Sequence, residues 1–251
     1  MKYIDLDTLN GIDATAFRAV EPFPWINPQG FLRDEGFEEL TANMPDVSLF
    51  ESYFGYARKN KQAEHRRYTL EYEKGLDIPP VWEAFIAELL SPEYRQFATQ
   101  IMGTKHIGLR MHWHYAPNGC DVSPHCDSKV KLGSQIFYMN THDDWDPAWG
   151  GQTVILDDHG RFAAESNPSF EDFDQEWVAD TMDNRSVIFG RKNNSWHGVR
   201  AINAPEGEMR KVFILVYENI HPGKMFKKRV KRFLTGKSTD VQSERRQQNW
   251  A

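Results

Sequence analysis

The sequence predicts an α+β chain, in which helices over roughly the first hundred residues pack on one face of a sandwich or barrel of short strands such as a jelly roll. Three observations predict it. Apolar residues recur three and four apart up to about residue 103. From residue 104 the texture changes to short β-like runs divided by Gly, Asn, Asp and Pro clusters. A chain of 251 residues with 40% hydrophobic content also suffices for a substantial core, which excludes a disordered, collagenous or disulfide-stapled polypeptide.

The segment Glu21-Pro22-Phe23-Pro24-Trp25-Ile26-Asn27 holds too many prolines for a helix and is expected to be extended. Phe37, Leu40 and Met44 share one helical face that ends at Pro45, placing a helix near Asp34–Met44. Residues 80–103 divide into two helices. Trp82, Phe85, Ile86, Leu89 and Leu90 form the stripe of the first. Ser91-Pro92-Glu93 then supplies a cap and a first-turn proline for the second, where Phe97, Ile101 and Met102 continue the spacing. Candidate strands are Ile107–Tyr115, Lys131–Asn140, Gln152–Leu156, Ser186–Phe189, Ser195–Ala201 and Met209–Glu218. Short strands at this spacing fit a sandwich or barrel, and helices preceding strands fit an α+β arrangement. There are no internal repeats.

The net charge of −6 hides an asymmetry. Residues 221–251 carry nine Lys/Arg against two Asp/Glu, which leaves −13 on the preceding 220 residues. An acidic body disfavours nucleic acid as a partner, since neutralising phosphates requires clustered Lys and Arg. The basic tail reads as a solvated terminal helix, with an anionic partner or membrane surface as the alternative. No run is long and apolar enough for a membrane helix. Asp5 and Asp7 stand where a secretory signal would be apolar, so a cytoplasmic protein is expected, with Cys120 and Cys126 kept as thiols.

Of nine histidines, His65, His142, His159 and His221 sit among polar neighbours and read as surface residues, and His106 has no partner at ligand spacing. His125 and Asp127 differ. In an extended segment residues i and i+2 share a face, so the pair can converge on one ion. His197 lies seventy residues beyond Asp127. Two imidazoles and a carboxylate form a facial triad that suits non-haem Fe(II) better than zinc. Thirteen residues past His197, Arg210 opens the run Met209–Tyr217, where alternation puts Arg210, Val212, Ile214 and Val216 on one face. An arginine on an aliphatic inward face requires an anion, either a ligand carboxylate or a protein Asp or Glu.

On these residues the segment from about 107 to 217 resembles the catalytic core of the Fe(II)/2-oxoglutarate-dependent dioxygenases, in particular their prolyl-4-hydroxylase-like branch. The resemblance rests on His125, Asp127, His197 and Arg210, with Gly150-Gly151-Gln152-Thr153 and His197-Gly198-Val199-Arg200 similar to the branch's usual wording. It implies a double-stranded β-helix (jelly-roll) core with N-terminal helices on one sheet. It also implies one dioxygenase domain over 1–220, with a helical lead-in at 1–103, a core from about 104 and the basic tail beyond. His125, Asp127 and His197 would hold Fe(II) as the catalytic centre. Arg210 would hold the far carboxylate of 2-oxoglutarate beside Tyr138, with Tyr115 as a second aromatic lining the pocket. With O2 as the third reactant, the products would be succinate, CO2 and a substrate hydroxylated at an unactivated C–H bond. Asp127 favours hydroxylation, because related halogenases replace that carboxylate with a small residue.

Alternatives stay open at this point. Arg200 is a rival anchor, disfavoured by alternation, which also excludes Lys211. His112-x-His114 resembles part of a cupin signature but lacks its glutamate, and with Tyr115 facing the pocket both histidines would point outward. Thr141–Gly150, rich in Asp and Trp, is either a lid or a surface loop, and Arg66, Arg67 and Tyr68 are candidates for the pocket mouth. The expected partner is a small-molecule or peptidyl substrate, with homodimer formation left open. The competing classes are a non-catalytic jelly-roll binding module and a metal-dependent hydrolase using the same three ligands.

Overall fold

A computed structural model of the chain describes residues 1–54 and 66–220. The expectations on His65, His221 and the basic tail lie outside the described residues. Five helices open or punctuate the first part: α1 (Leu6–Gly11), α2 (Ala14–Ala19), α3 (Asp34–Ala42), α4 (Pro80–Leu89) and α5 (Pro92–Met102). The two longest begin as the sequence dictates. Pro80 and Pro92 occupy first-turn positions, the Ser91 side chain accepts from the Tyr94 amide, and Gly103 closes α5 in the left-handed conformation.

The strands are β1 (Trp25–Ile26), β2 (Glu51–Tyr53), β3 (Arg67–Glu71), β4 (Ile107–Pro117), β5 (Val122–His125), β6 (Lys131–Tyr138), β7 (Thr153–Asp157), β8 (Gln175–Val178), β9 (Ser186–Gly190), β10 (His197–Val199) and β11 (Met209–Asn219). They form a seven-stranded sheet in the order β1-β9-β6-β11-β4-β3-β2 and a four-stranded sheet in the order β5-β10-β7-β8. Every pairing between these strands is antiparallel, as in a jelly roll.

β11 carries the large sheet. It pairs with β4 from Met209↔Pro117 to Asn219↔Ile107, and with β6 from Val212↔Tyr138. Strand alternation then divides the side chains between two interiors. Met111, Trp113, Phe137, Phe213, Leu215 and Tyr217 pack against the helices with Trp82, Phe85 and Tyr94. Ile136, Tyr138, Val187, Phe189 and Val212 face the small sheet and meet Ile155 of β7. On the helical side one buried polar cluster pins α5 to the sheet. The Tyr94 hydroxyl lies 2.6 Å from Gln135 Oε1 and 2.7 Å from the Tyr217 hydroxyl.

The expected helices at 34–44 and 80–103 and the candidate strands from 107 onward are present, the one at 195–201 shortened to His197–Val199. The short α1 and α2, capped by Asp5 and Asp13, and the strands β2, β3 and β8 were not foreseen. Their periodic runs are six residues or fewer, too short to separate from loop. Cys120 and Cys126 are free thiols. Among the described residues no helix is long and apolar enough to cross a membrane.

Candidate functional site

β5 and β10 lie side by side, with His125 directly opposite His197. That closeness depends on Gly198. A Cβ there would stand 2.7 Å from the Val122 carbonyl oxygen and 2.8 Å from the Phe170 ring, so any larger residue would push β5 away. The chain leaves the strand after His125, and the Asp127 carboxylate folds back to 4.0 Å from His125 Nε2. One possible ligand atom from each of His125, Asp127 and His197 lies within 4.8 Å of the other two. Among the described residues this is the one cluster of three such side chains close enough to hold a metal ion.

Both imidazoles are oriented from behind. His125 Nδ1 lies 3.0 Å from the Ser123 carbonyl oxygen, and His197 Nδ1 lies 2.9 Å from that of Ser195. A carbonyl only accepts, so each Nδ1 carries the proton and each Nε2 keeps its lone pair for a cation. Lys131 Nζ sits 2.6 Å from Asp127 Oδ1. Burial alone would push the Asp127 carboxyl up, but the Lys131 ammonium against it holds it well below the usual carboxylate range. Two neutral nitrogen donors and one ionised carboxylate, converging from one side, fit a divalent transition metal with coordination positions left open.

Arg210 lies at the start of β11 on the same inward face as Tyr138, with 9% of its surface exposed. Its Nε donates to the Gly151 carbonyl, and its guanidinium stands 5.5 Å over the Tyr138 ring. Burial lowers its pKa, offset in part by the Tyr138 phenol, and no carboxylate among the described residues pairs with it. The Tyr138 hydroxyl donates to Thr153 Oγ1 at 2.7 Å. Thr153 is two residues from Ile155, the partner of His197 across the ladder. Arg210 of the large sheet and the His125–Asp127–His197 cluster beside the small sheet therefore face one interior from opposite sheets, joined by the Tyr138–Thr153 contact.

No protein-family model matches the chain, and no curated protein matches it either. Solved structures do. A Pseudomonas putida prolyl-4-hydroxylase is 14% identical, with 82% of this chain and 98% of that one covered at a TM-score of 0.56. The chain has the fold of these dioxygenases. A Trichoplax adhaerens prolyl hydroxylase, solved with a peptide fragment of the hypoxia inducible factor oxygen degradation domain, is 15% identical over 84% of this chain and 89% of that one, at a TM-score of 0.59. A non-haem α-ketoglutarate-dependent carbocyclase from nogalamycin biosynthesis is 11% identical over 84% and 86%, at 0.57.

Within this dioxygenase fold the structure brings His125, Asp127 and His197 together and places Arg210 and Tyr138 beside one another. It does not bring Tyr115 to them. Tyr115 lies on the helical face of β4, where its hydroxyl donates to the Pro45 carbonyl at 2.8 Å and its ring stacks on Phe50 at 4.2 Å. The expected parity is therefore inverted: His112 and His114 face the site, and Met111, Trp113 and Tyr115 face the helices. The physical reason is that β4 is covered on both sides, so its apolar face belongs to the helix layer and its polar face to the site. Arg200, the rival anchor, is half-exposed and pairs with Glu176 at 2.6 Å. Lys211 points away to Asp144, also at 2.6 Å. Trp145 of the Thr141–Gly150 loop is buried with Cys120, Met182 and Ile202, the packing of a surface loop anchored by its tryptophan. Of the candidates for the pocket mouth, Arg67 lies on the site face of β3 and donates to Thr69. Lys131, Thr153 and His112 are the contributors that sequence reasoning missed; the first lies four residues past Asp127, a spacing that could have suggested an ion pair.

Proposed function

We propose that this chain is an Fe(II)- and 2-oxoglutarate-dependent dioxygenase that hydroxylates an unactivated C–H bond of a small-molecule or peptidyl substrate. The observation that carries the reading is the nearly buried Arg210 guanidinium, without a carboxylate to balance it among the described residues, facing from the large sheet the same interior as three converging metal ligands of the small-sheet side. A guanidinium so placed matches a ligand carboxylate bidentately. The fold it shares with prolyl hydroxylases supports the reaction class, and the peptide bound by the Trichoplax adhaerens enzyme supports a peptidyl substrate.

His125, Asp127 and His197 would hold the iron, which with 2-oxoglutarate and O2 would supply the oxidising equivalent. The rest falls to the chain. The Ser123 and Ser195 carbonyls fix the imidazoles in the tautomer that presents Nε2. Lys131 fixes the Asp127 rotamer and offsets part of its charge. Arg210 would bind the distal carboxylate, held on its face by Tyr138 and at Nε by Gly151. The buried Phe189 packs its ring 4.6 Å from that of His197 and gives that imidazole an apolar neighbour.

Anaerobic addition of Fe(II) and 2-oxoglutarate tests the reading. A visible charge-transfer band is expected, and its absence from folded protein would reject the dioxygenase in favour of a binding module or hydrolase. Arg210→Ala should weaken 2-oxoglutarate binding at least tenfold while Arg200→Ala leaves it unchanged. The reverse would reassign the anchor.

A further inference from the structure

The inner face of the large sheet continues past Arg210 of β11 onto β4 and β3, where it is lined by Arg110, His112, Thr69 and Glu71. His112 is 6% exposed. Its Nδ1 lies 3.3 Å from an Arg110 terminal nitrogen, and a guanidinium only donates, so Nδ1 accepts and Nε2 carries the proton. Arg110 is in turn fixed by Glu218 at 2.8 Å. Among the described residues the Nε2–H makes no hydrogen bond, and unlike the Trp113 indole N–H the atom is not sealed from solvent, so it is open to an incoming acceptor. His112 pairs with Ile214 across the ladder, and Ile214 with Ile136. It therefore lies on the inner face of the large sheet, two strands from β6 and facing the interior that the small sheet with His125 and His197 closes from the other side.

We propose that His112 is a substrate-facing hydrogen-bond donor whose Nε2–H meets an uncharged carbonyl oxygen, so that this site takes amides or peptides rather than free acids. This rests on the dioxygenase reading above and adds the substrate class. The charge on this wall decides between carbonyl and carboxylate. Arg110 is paired with Glu218, Lys131 with Asp127, and Arg67 donates to Thr69 and lies over the Tyr53 ring. Burial, with Arg110, Lys131 and Arg67 nearby, keeps the His112 imidazole neutral. A carboxylate entering here would meet Glu71, Glu218 and Asp127 without an uncommitted cation, whereas a neutral carbonyl matches a neutral donor.

The test uses the Fe(II)-loaded enzyme and two probe sets, the twenty N-acetyl amino acid amides and the twenty free amino acids. The charge-transfer band is recorded first, anaerobically with 2-oxoglutarate. Succinate formation above the uncoupled background is then measured with each probe. At least one blocked amide should stimulate the wild type. His112→Leu should keep the band and lower kcat/KM for that amide about tenfold, while His112→Gln, which restores an N–H at similar reach, recovers most of the loss. With the band present, the proposal is overturned by stimulation confined to free amino acids, by no amide stimulating the wild type, or by an unaffected His112→Leu. A missing band would instead overturn the dioxygenase reading itself.

Discussion

Arg210 can approach its place only because residue 151 has no side chain. A Cβ on Gly151 would stand 2.8 Å from Arg210 Cδ, and the residue has φ +81°, which an L side chain rarely adopts. Gly151→Ala should therefore weaken 2-oxoglutarate binding at least tenfold while Fe(II) binding changes less than threefold, and lower stability by about 1–2 kcal/mol. Calorimetric titration of each ligand and a denaturant curve check the three parts. Unchanged 2-oxoglutarate affinity would show that the guanidinium does not need this seat. At this scale much was legible. Strand alternation separated Arg210 from Arg200 and Lys211, because a cation on an aliphatic stripe has one economical explanation. Tyr115 was misread because Met-His-Trp-His-Tyr alternates cleanly, and alternation says that two faces differ without saying which one lines the site.

Two contacts between elements can be broken separately. Gly198 lets β5 lie against β10, and with them His125 against His197. Gly198→Val should separate the strands and abolish stoichiometric Fe(II) binding while circular dichroism retains the helical signal of α4 and α5; a variant that still binds one Fe(II) would show that the triad tolerates the displacement. The second contact is the Tyr94 hydroxyl, which ties α5 to β6 and β11 through Gln135 and Tyr217. Tyr94→Phe leaves Gln135 and Tyr217 short of a partner and should cost about 1–3 kcal/mol in urea denaturation. The elements that sequence reasoning located, α4, α5, β4, β6 and β11, are long enough for a period to be counted. β2, β3 and β8 hold three to five residues each, and their strand character comes from neighbours distant in the chain. Half of the wall proposed to face substrate lies on β3, so the mouth of the candidate site was less legible than its cluster of possible metal ligands.

Across the whole molecule, the helix layer is glued to the large sheet by tyrosines that must remain protonated. Burial raises the pKa of Tyr94, Tyr115 and Tyr217 well above its ordinary value near 10, and burial with a hydrogen bond to Glu83 pushes Tyr72 up to about 12. A phenol with a raised pKa in the folded state holds its proton more tightly there than when unfolded. Its contribution is complete below about pH 10 and is lost as pH climbs through 10 and beyond. Each pH unit above 10 then removes about 1.4 kcal/mol per fully buried tyrosine, or about 4 kcal/mol for Tyr94, Tyr115 and Tyr217 together. Domains of this size have about 5–15 kcal/mol to lose. The fold should accordingly collapse cooperatively above about pH 11, with phenolate absorbance rising in step with the loss of far-ultraviolet ellipticity. Gradual phenolate formation near pH 10 in a protein that stays folded would contradict this account. Tyr94→Phe adds an internal control: less stable than the wild type at pH 7, it has one fewer proton to release, so its stability should fall less steeply with pH and the gap to the wild type should narrow above pH 10.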